Sequence, residues 1–281
     1  MGLEFPIRQG APCRYNESVT MSTFVYSQGE KLAVDLFEPA IHIGDVVLVH
    51  GFTGSKEDFN ELAPLLADMG YRVLTFDNRG QNESSHTKRE DGYSMNSLAR
   101  DVIDLAKHYG FVKPHLLGHS FGGLVAQRAA VDASEFWGSL TLFCTGPHWI
   151  PNKPDLDEMI HMLESMSMED SWVKYKEETD KLLPRYEIYK KRWKLSDPQS
   201  TKTMALYLKN TQPLIAEIIA TKIPVHVIYG ENDDAWPLYM QDQMAKDLSA
   251  PLTVIKGAGH CPNEDKPEDT AKILASFWSR L

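Results

Sequence analysis

The stretch His115-Leu-Leu-Gly-His-Ser120-Phe-Gly-Gly123 joins a short apolar run to a run of helix-compatible residues, Leu124 to Ala130. Its centre has the spacing Gly-x-Ser-x-Gly between a predicted strand and a predicted helix. A serine on so tight a turn stands clear of the sheet, and the residues two before and two after it must be small; here both are glycine. The following helix directs unpaired N–H groups towards the serine. The pattern predicts a nucleophile at Ser120, with a simple Gly-Ser turn as the alternative.

Strand-like and helix-like segments alternate along most of the chain. Val19 to Tyr26 and Lys31 to Phe37 flank Ser27-Gln-Gly-Glu30, which predicts an antiparallel hairpin at a sheet edge. The later β-branched and aliphatic runs are typical of strands buried on both faces. The alternation predicts an α/β fold with a mostly parallel central sheet and helices on both faces. The predicted strands are 45–50, 72–77, 116–120, 139–144, 224–230 and 252–255, and the predicted helices are 56–69, 95–109, 124–131, 237–247 and 266–281.

The alternation stops at Gly146-Pro147. Over residues 154–220 no segment has the pattern of a strand, and apolar residues recur at helical spacing. We predict that residues 147–220 form an inserted helical cap. Residues 1–146 and 221–281 would then form one core domain.

A serine hydroxyl needs a base to accept its proton, and the base needs a carboxylate to orient it. Both should lie after later strands, because ligands bind beyond the carboxyl ends of the strands of such a sheet. The turn after the last strand contains His260, which could otherwise be a surface histidine. The turn before it contains Asp233, with Glu231 and Asp234 as competitors for the acidic role. The order Ser120, Asp233, His260 is the order nucleophile, acid, histidine.

Acyl transfer also needs N–H donors for the oxyanion that develops on the carbonyl. His50-Gly51-Phe52-Thr-Gly54 follows an early predicted strand. There the backbone N–H of Phe52 can face Ser120, and the N–H of Phe121 would be the second donor. The alternative for this stretch is a glycine-rich turn with no role in catalysis.

These motifs together resemble the α/β-hydrolase superfamily, in particular its small capped esterases and carbon–carbon hydrolases. The resemblance covers nearly the whole chain outside the cap. It implies an α/β-hydrolase fold, in which Ser120 is the nucleophile, His260 the base and then the acid, Asp233 its orienting partner, and Phe52 and Phe121 the oxyanion donors. The motifs are His50-Gly51-Phe52, Asp77-Asn-Arg79-Gly80, Gly118-His-Ser120-Phe-Gly122-Gly123, Gly230-Glu-Asn-Asp233 and Gly259-His260-Cys-Pro262-Asn-Glu264-Asp-Lys-Pro267-Glu268.

The loop after the second parallel strand departs from the family pattern. The family often has Asp-x-Arg-Gly-x-Gly-x-Ser, whereas this chain has Asn82 at the second glycine. Asparagine tolerates positive φ better than most residues, so we expect the turn to be kept. In the family, residues equivalent to Asp77 and Arg79 usually brace the loop. Haloalkane dehalogenases and epoxide hydrolases of this fold carry Asp as the nucleophile, and Ser120 argues against both activities.

Composition restricts the class of protein. The net charge of −10 argues against a nucleic-acid-binding surface. No run reaches transmembrane length, and the first residues do not resemble a secretory signal, so we expect no membrane partner. The three cysteines, Cys13, Cys144 and Cys261, have no metal-type spacing and predict free thiols in a bacterial-type cytoplasm. The sequence predicts neither a metal nor a cofactor, and a homodimer is left open.

Five residues are candidates for substrate contacts: His119, His148, Trp149, Met159 and Trp236. The methionines of the cap would suit a pliable apolar wall, and packing between cap and sheet is the alternative for each of them. The basic run Lys190-Lys-Arg-Trp-Lys194 predicts a solvated helix face, with attraction of an anionic substrate as the alternative.

The leading hypothesis is a carboxylic-ester hydrolase that acts on small, mostly apolar substrates through an acyl-enzyme. Hydrolysis of a carbon–carbon bond beside a ketone, or opening of a lactone, is the enzymatic alternative, because the same triad serves those reactions. A ligand receptor that kept the fold without turnover is the alternative from another class.

Overall fold

A computed structural model of the chain describes residues 23–151, 153–175 and 185–281. Cys13 and the predicted start of the first strand, at Val19, lie outside the described residues. The described part contains one eight-stranded sheet and eleven α-helices. None of these helices combines the length and the hydropathy that a transmembrane span requires.

One sheet forms the centre of the protein. Its strands are β1 (Thr23–Ser27), β2 (Glu30–Phe37), β3 (Gly44–Val49), β4 (Tyr71–Phe76), β5 (His115–His119), β6 (Ser139–Phe143), β7 (Val225–Gly230) and β8 (Leu252–Ile255). They lie in the order β1-β2-β4-β3-β5-β6-β7-β8. β2 runs antiparallel to both of its neighbours, and every other pair is parallel. The sheet is therefore mostly parallel, as predicted.

The turn between β1 and β2 is a two-residue hairpin loop. Ser27 pairs with Glu30 in the ladder, so Gln28 and Gly29 form the whole loop. Their φ angles of 52° and 85° are both positive, as a type I′ turn requires. This turn matches the twist of the flanking strands and explains why the predicted hairpin forms.

Helices cover both faces of the sheet, which confirms the predicted α/β architecture. In chain order they are α1 (Leu62–Asp68), α2 (Met95–His108), α3 (Phe121–Asp132), α4 (Pro154–Ser165), α5 (Met168–Tyr175), α6 (Tyr186–Leu195), α7 (Pro198–Asn210), α8 (Ile215–Thr221), α9 (Leu238–Asp247), α10 (Pro262–Asp265) and α11 (Pro267–Trp278). α2, α3 and α9 pack on one face with Val47 and Val49 of β3. α1 and α11 pack on the other face with Val46 and Leu48. The alternate side chains of β3 thus enter two separate cores.

The predicted helix 56–69 is divided in the structure. Lys56–Phe59 form a 3₁₀ turn, and α1 begins only at Leu62. The N–H of Lys56 donates to Asp77 Oδ1 at 2.8 Å, so a tertiary contact holds the first turn. Such contacts override local helical propensity.

The described residues between β6 and β7 form helices and no strand. α4, α5 and α6 share an apolar cluster, the cap cluster, made of Met159, Met162, Leu163, Met168, Trp172, Tyr186 and Trp193. α7 and α8 instead bury Met204, Leu208 and Ile218 in the larger core. The boundary predicted at residue 220 therefore falls inside α8, a helix that packs on the core.

Candidate active site

Ser120 lies at the sharp turn between β5 and α3. Its φ and ψ angles are 54° and −121°, a region that residues other than glycine rarely adopt. The N–H of Ser120 donates to the carbonyl of Phe143 at 2.9 Å, and the N–H of Gly123 donates to the carbonyl of Ser120 at 2.8 Å. Bonds to β6 and within the turn thus hold the strained residue at the carboxyl end of β5.

The two glycines that flank the serine allow strand and helix to touch. A Cβ on Gly118 would lie 2.3 Å from the carbonyl oxygen of Gly122. A Cβ on Gly122 would lie 2.4 Å from the carbonyl oxygens of both Val49 and His50. These distances confirm the prediction that both positions must be small.

The structure brings Ser120, His260 and Asp233 together. His260 Nε2 lies 2.9 Å from Ser120 Oγ, and His260 Nδ1 lies 2.8 Å from Asp233 Oδ1. With Nδ1 protonated, the imidazole donates to Asp233 and accepts the hydroxyl proton of Ser120. The side chain of Asp233 is fully buried, whereas 16% of the His260 side chain is exposed. A base in this position can exchange protons with both the serine and an incoming ligand.

The two competing acids of the same turn lie in different surroundings. Glu231 Oε2 accepts the backbone N–H of Gly257 at 2.9 Å, and Asp234 is exposed. Asp233 is therefore the carboxylate that reaches His260.

Asp233 is held in its charged form. Burial opposes its ionisation, but the attraction of His260 and the hydrogen bonds to the carboxylate outweigh burial and keep the pKa of Asp233 below its ordinary value. The donors include Gln241 Nε2 at 3.0 Å and the N–H of Ala235 at 3.1 Å. A carboxylate that stays charged at neutral pH stabilises the imidazolium that forms when His260 takes a proton.

The loop after β3 lies against the serine. A Cβ on Gly51 would lie 3.0 Å from Cβ of Ser120. His50 holds this loop, because its Nδ1–H donates to the Gly51 carbonyl at 2.8 Å and its Nε2 accepts the N–H of Asn78 at 3.0 Å. Burial lowers the pKa of His50 to about 4, so the imidazole is neutral, as these two bonds require.

The two predicted oxyanion donors directly follow the two residues of this contact in the chain. Phe52 directly follows Gly51. Phe121 is the first residue of α3, so its N–H has no acceptor within the helix. Each residue is thus a chain neighbour of one of the two residues in contact, and the role of their N–H groups as an oxyanion hole stays a prediction.

The loop after β4 is braced by side chains. Arg79 Nε donates to Asp101 Oδ2 at 2.6 Å in a fully buried ion pair. Asn82 has a φ of 45° and donates from Nδ2 to Asp77 Oδ2 at 3.0 Å. The positive φ expected for Asn82 is confirmed.

Two arginines fasten α6 to the core. Arg192 pairs with Asp58, and Arg185 pairs with Glu264. Only 15% of the Arg192 side chain is exposed. The prediction that residues 190–194 form a solvated face is therefore wrong for Arg192, whose acidic partner is distant in sequence, and for Trp193, which is buried in the cap cluster.

Breaking the pair of Arg192 with Asp58 is expected to destabilise the protein. Arg192→Met leaves a buried carboxylate without its partner, at a cost on the order of 3 kcal/mol. Burial opposes ionisation of Asp58, but Arg192 and Arg185 keep its folded-state pKa below the ordinary 3.8. The pair thus contributes fully above about pH 4 and is lost as the pH falls through the folded-state pKa. In urea unfolding, the difference between Arg192→Met and wild type should be large at pH 7 and should shrink as the pH is lowered through the folded-state pKa of Asp58.

Lys191→Met is the matched control. Lys191 bonds Glu83 at 3.0 Å, but 60% of its side chain is exposed, so its loss should cost less than about 1 kcal/mol. Equal destabilisation by the two variants would contradict a special role for Arg192.

His119 contacts His260 through a hydrogen bond and through its ring. Its Nε2–H donates to the carbonyl of His260 at 2.8 Å, and the two ring centroids are 5.0 Å apart. Burial, and then the nearby His260, lower the pKa of His119 to about 4, so it is neutral. The side chain is 4% exposed. The structure thus gives His119 a packing contact with His260, and its contact with substrate stays a prediction.

The other four predicted substrate residues lie in three different places. Met159 is fully buried inside the cap cluster. Trp236 is 1% exposed, and its indole packs so closely on Gly146 that a Cβ there would lie 2.4 Å away. His148 contacts Trp149, its ring centroid 5.7 Å away. Trp149 borders a depression of about 380 Å³ with Ile150, Lys153, Pro154, Asp157 and Lys209, and no triad residue lines it.

One group of described residues brings three potential metal ligands together. Atoms of His119, Cys144 and His260 lie within 4.8 Å of one another. The two ring nitrogens of His260 are already hydrogen-bonded to Asp233 and Ser120, and Nε2–H of His119 donates to the carbonyl of His260. A metal ion there would compete with the hydrogen bonds that join Ser120 to Asp233.

Known proteins resemble this chain in sequence and in fold. The chain is 26% identical to the uncharacterized hydrolase YugF of Bacillus subtilis (strain 168) in an alignment 267 residues long that covers 83% of this chain and 89% of that protein. An esterase from Exiguobacterium antarcticum superposes with a TM-score of 0.77 at 21% identity, over 92% of this chain and all of that one. The enol-lactonase from Burkholderia xenovorans LB400 gives 0.75 at 18% identity, with the same coverage.

A sequence model of the alpha/beta hydrolase family matches residues 46–273. This range contains most of β3, all of β4 to β8, and all three members of the Ser120, Asp233 and His260 group. It covers well over half of the chain. The chain therefore belongs to the alpha/beta hydrolase family.

Proposed function

We propose that the protein is a serine carboxylesterase that cleaves small apolar esters through an acyl-enzyme. The observation that carries the proposal is the continuous hydrogen-bonded chain from Asp233 through His260 to Ser120. The strained backbone of Ser120 and the buried, charged Asp233 support it, because both cost stability and both serve a nucleophile.

In the proposed reaction, Ser120 Oγ attacks the ester carbonyl while His260 Nε2 takes the hydroxyl proton. The N–H groups of Phe52 and Phe121 stabilise the oxyanion. The carbon–oxygen bond to the alcohol then breaks, and His260 returns its proton to the leaving oxygen. A water molecule gives a proton to His260 and its oxygen to the acyl carbon, and the acid leaves as Ser120 is reprotonated. Asp233 stays ionised throughout.

We further propose that residues 147–220 act as the cap that excludes water from this reaction. Phe52 packs against both the larger core and the cap cluster. The loop that supplies an oxyanion donor thus borders an apolar wall, which suits the acyl chain of a small apolar ester.

Labelling with a fluorophosphonate tests the nucleophile. Wild type should be labelled at Ser120, and Ser120→Ala should not be labelled. Ser276→Ala, at an exposed serine on α11, should be labelled as wild type is. A folded wild type that resists the reagent would contradict the proposal and favour a ligand receptor.

A panel of p-nitrophenyl esters with increasing acyl length tests the substrate class. We expect esters with short and medium acyl chains to be cleaved, at a rate proportional to the fraction of the protein that the fluorophosphonate can label. Labelling without cleavage of any ester would overturn the esterase proposal in favour of carbon–carbon or lactone hydrolysis.

A further inference from the structure

Gln241 stands out on the buried face of α9. The other residues of that face are Met240, Met244 and Ala245, all apolar. The Gln241 side chain is 0% exposed. An amide in such a place requires a reason, because burying an amide without full hydrogen bonding is unfavourable.

The partner of Gln241 is the carboxylate of Asp233. Gln241 Nε2 donates to Asp233 Oδ2 at 3.0 Å. The other oxygen, Oδ1, accepts from His260 Nδ1 and from the N–H of Ala235. Each carboxylate oxygen is therefore held by its own donor, and Oδ1 is kept towards the imidazole.

Only the nitrogen of the Gln241 amide forms a hydrogen bond in the described structure. Its Oε1 has no hydrogen-bond partner among the described residues. The opposite orientation of the amide would set Oε1 against the negative Asp233 Oδ2, so charge fixes which end faces the carboxylate. A leucine or methionine would avoid the unpaired oxygen. The N–H donated to Asp233 is thus the one favourable polar contact of this side chain in the described structure.

We propose that Gln241 is a positioning residue, which prevents rotation of the Asp233 carboxylate and draws part of its charge away from the oxygen that faces His260. The proposal rests on the proposed role of Ser120, Asp233 and His260. Gln241 acts through Asp233 and does not touch the reacting atoms.

Gln241→Leu should change turnover and its pH dependence together. We expect kcat to fall about tenfold, the effect of losing one hydrogen bond to a charged group, with KM unchanged because residue 241 is not exposed to substrate. Without the amide, more of the negative charge stays on Oδ1 and stabilises the imidazolium of His260. The acidic limb of kcat/KM should therefore move to higher pH by about half a unit.

The titratable groups that face the His260 ring or lie close to it are Asp233 after β7, His119 at the end of β5 and Cys144 after β6. On its own loop, Asp265 bonds the N–H of Gly259. His119 is neutral over the range tested because its pKa is about 4.

Gln241→Glu is the conservative variant. Burial and the adjacent Asp233 should both keep the new carboxyl protonated at neutral pH. It can then donate its proton to Oδ2 as the amide does, so activity near pH 7 should exceed that of Gln241→Leu. As the pH rises and the new group ionises, its charge repels Asp233, and a new alkaline loss of activity should appear.

Gln127→Leu controls for the loss of a buried amide. Gln127 is 1% exposed, and its Nε2 donates to the carbonyl of Gly146 at 3.0 Å rather than to Ser120, Asp233 or His260. It should reduce thermal stability without moving the pH profile. A shift of the acidic limb by Gln127→Leu equal to that by Gln241→Leu would overturn the proposal.

Two readouts separate this inference from the proposed function. The chemical shift of the His260 Nδ1 proton, followed by NMR, should differ between folded Gln241→Leu and wild type without any need for turnover. Protein that is labelled at Ser120 but shows the same His260 proton shift and the same kcat in both forms would overturn the role of Gln241 alone. Protein that is not labelled would overturn the proposed function.

Discussion

Ser120→Ala and His260→Ala are each expected to lower kcat for a cleaved ester by about six orders of magnitude, as expected for groups that act as one unit. The hydroxyl is the attacking atom, and the imidazole 2.9 Å from it is its proton acceptor, so neither can be replaced by solvent. Initial rates with a p-nitrophenyl ester would measure the loss. The double variant should be no worse than either single one.

Asp233→Asn tests how much the charge of the carboxylate contributes. It keeps the shape of the side chain but removes the charge that fixes the tautomer of His260, so we expect kcat to fall by about four orders of magnitude. Thermal unfolding should show that all these variants are folded. Activity within tenfold of wild type in folded Ser120→Ala would contradict the assignment of the nucleophile.

Gly122→Ala is expected to destabilise the protein and to impair catalysis together. The added carbon would lie 2.4 Å from two backbone carbonyl oxygens, those of Val49 and His50. Backbone at the centre of a sheet cannot move aside, so we expect a loss of about 3 kcal/mol or more in the free energy of unfolding. Because the displaced strand leads to the Phe52 loop, kcat should also fall about a hundredfold. Urea titration and ester turnover measure the two effects.

Gly44→Ala provides the control at the start of the same strand. A Cβ there would lie 3.4 Å from the ring of Tyr71, an ordinary contact, and its φ is not in the positive range. It should leave turnover unchanged and alter stability by less than about 1 kcal/mol. Wild-type turnover in Gly122→Ala would show that strand and helix can separate without harm to the site.

Much of the fold and the triad could be predicted because the signals are local. The turn around Ser120 needs small flanking residues, and each parallel strand needs a run of apolar residues; both requirements leave a pattern within a few positions. The acid and the histidine followed from chain order, since the loops after β7 and β8 must reach the same edge of the sheet.

Contacts between distant segments left no comparable pattern. The charge of Arg192 suggested a solvated face, and only its pairing with Asp58 drew it inward. Trp236 follows Asp233 closely in sequence, yet its indole turns into the core beneath Gly146. Gln241 offered one weak signal, an amide among the apolar residues of α9, but its partner was not visible in the sequence.

By itself, the sequence determined which residues could carry the chemistry and that a parallel sheet would present them at one edge, because backbone sterics and hydrophobic periodicity act over a few neighbouring residues. Only the tertiary structure decided that Asp233 rather than Glu231 faces His260, that Gln241 holds that carboxylate, and that Trp236 and Met159 are buried. Those outcomes depend on side-chain packing and charge pairing between segments far apart in the chain, and such pairings exist only after the chain has folded.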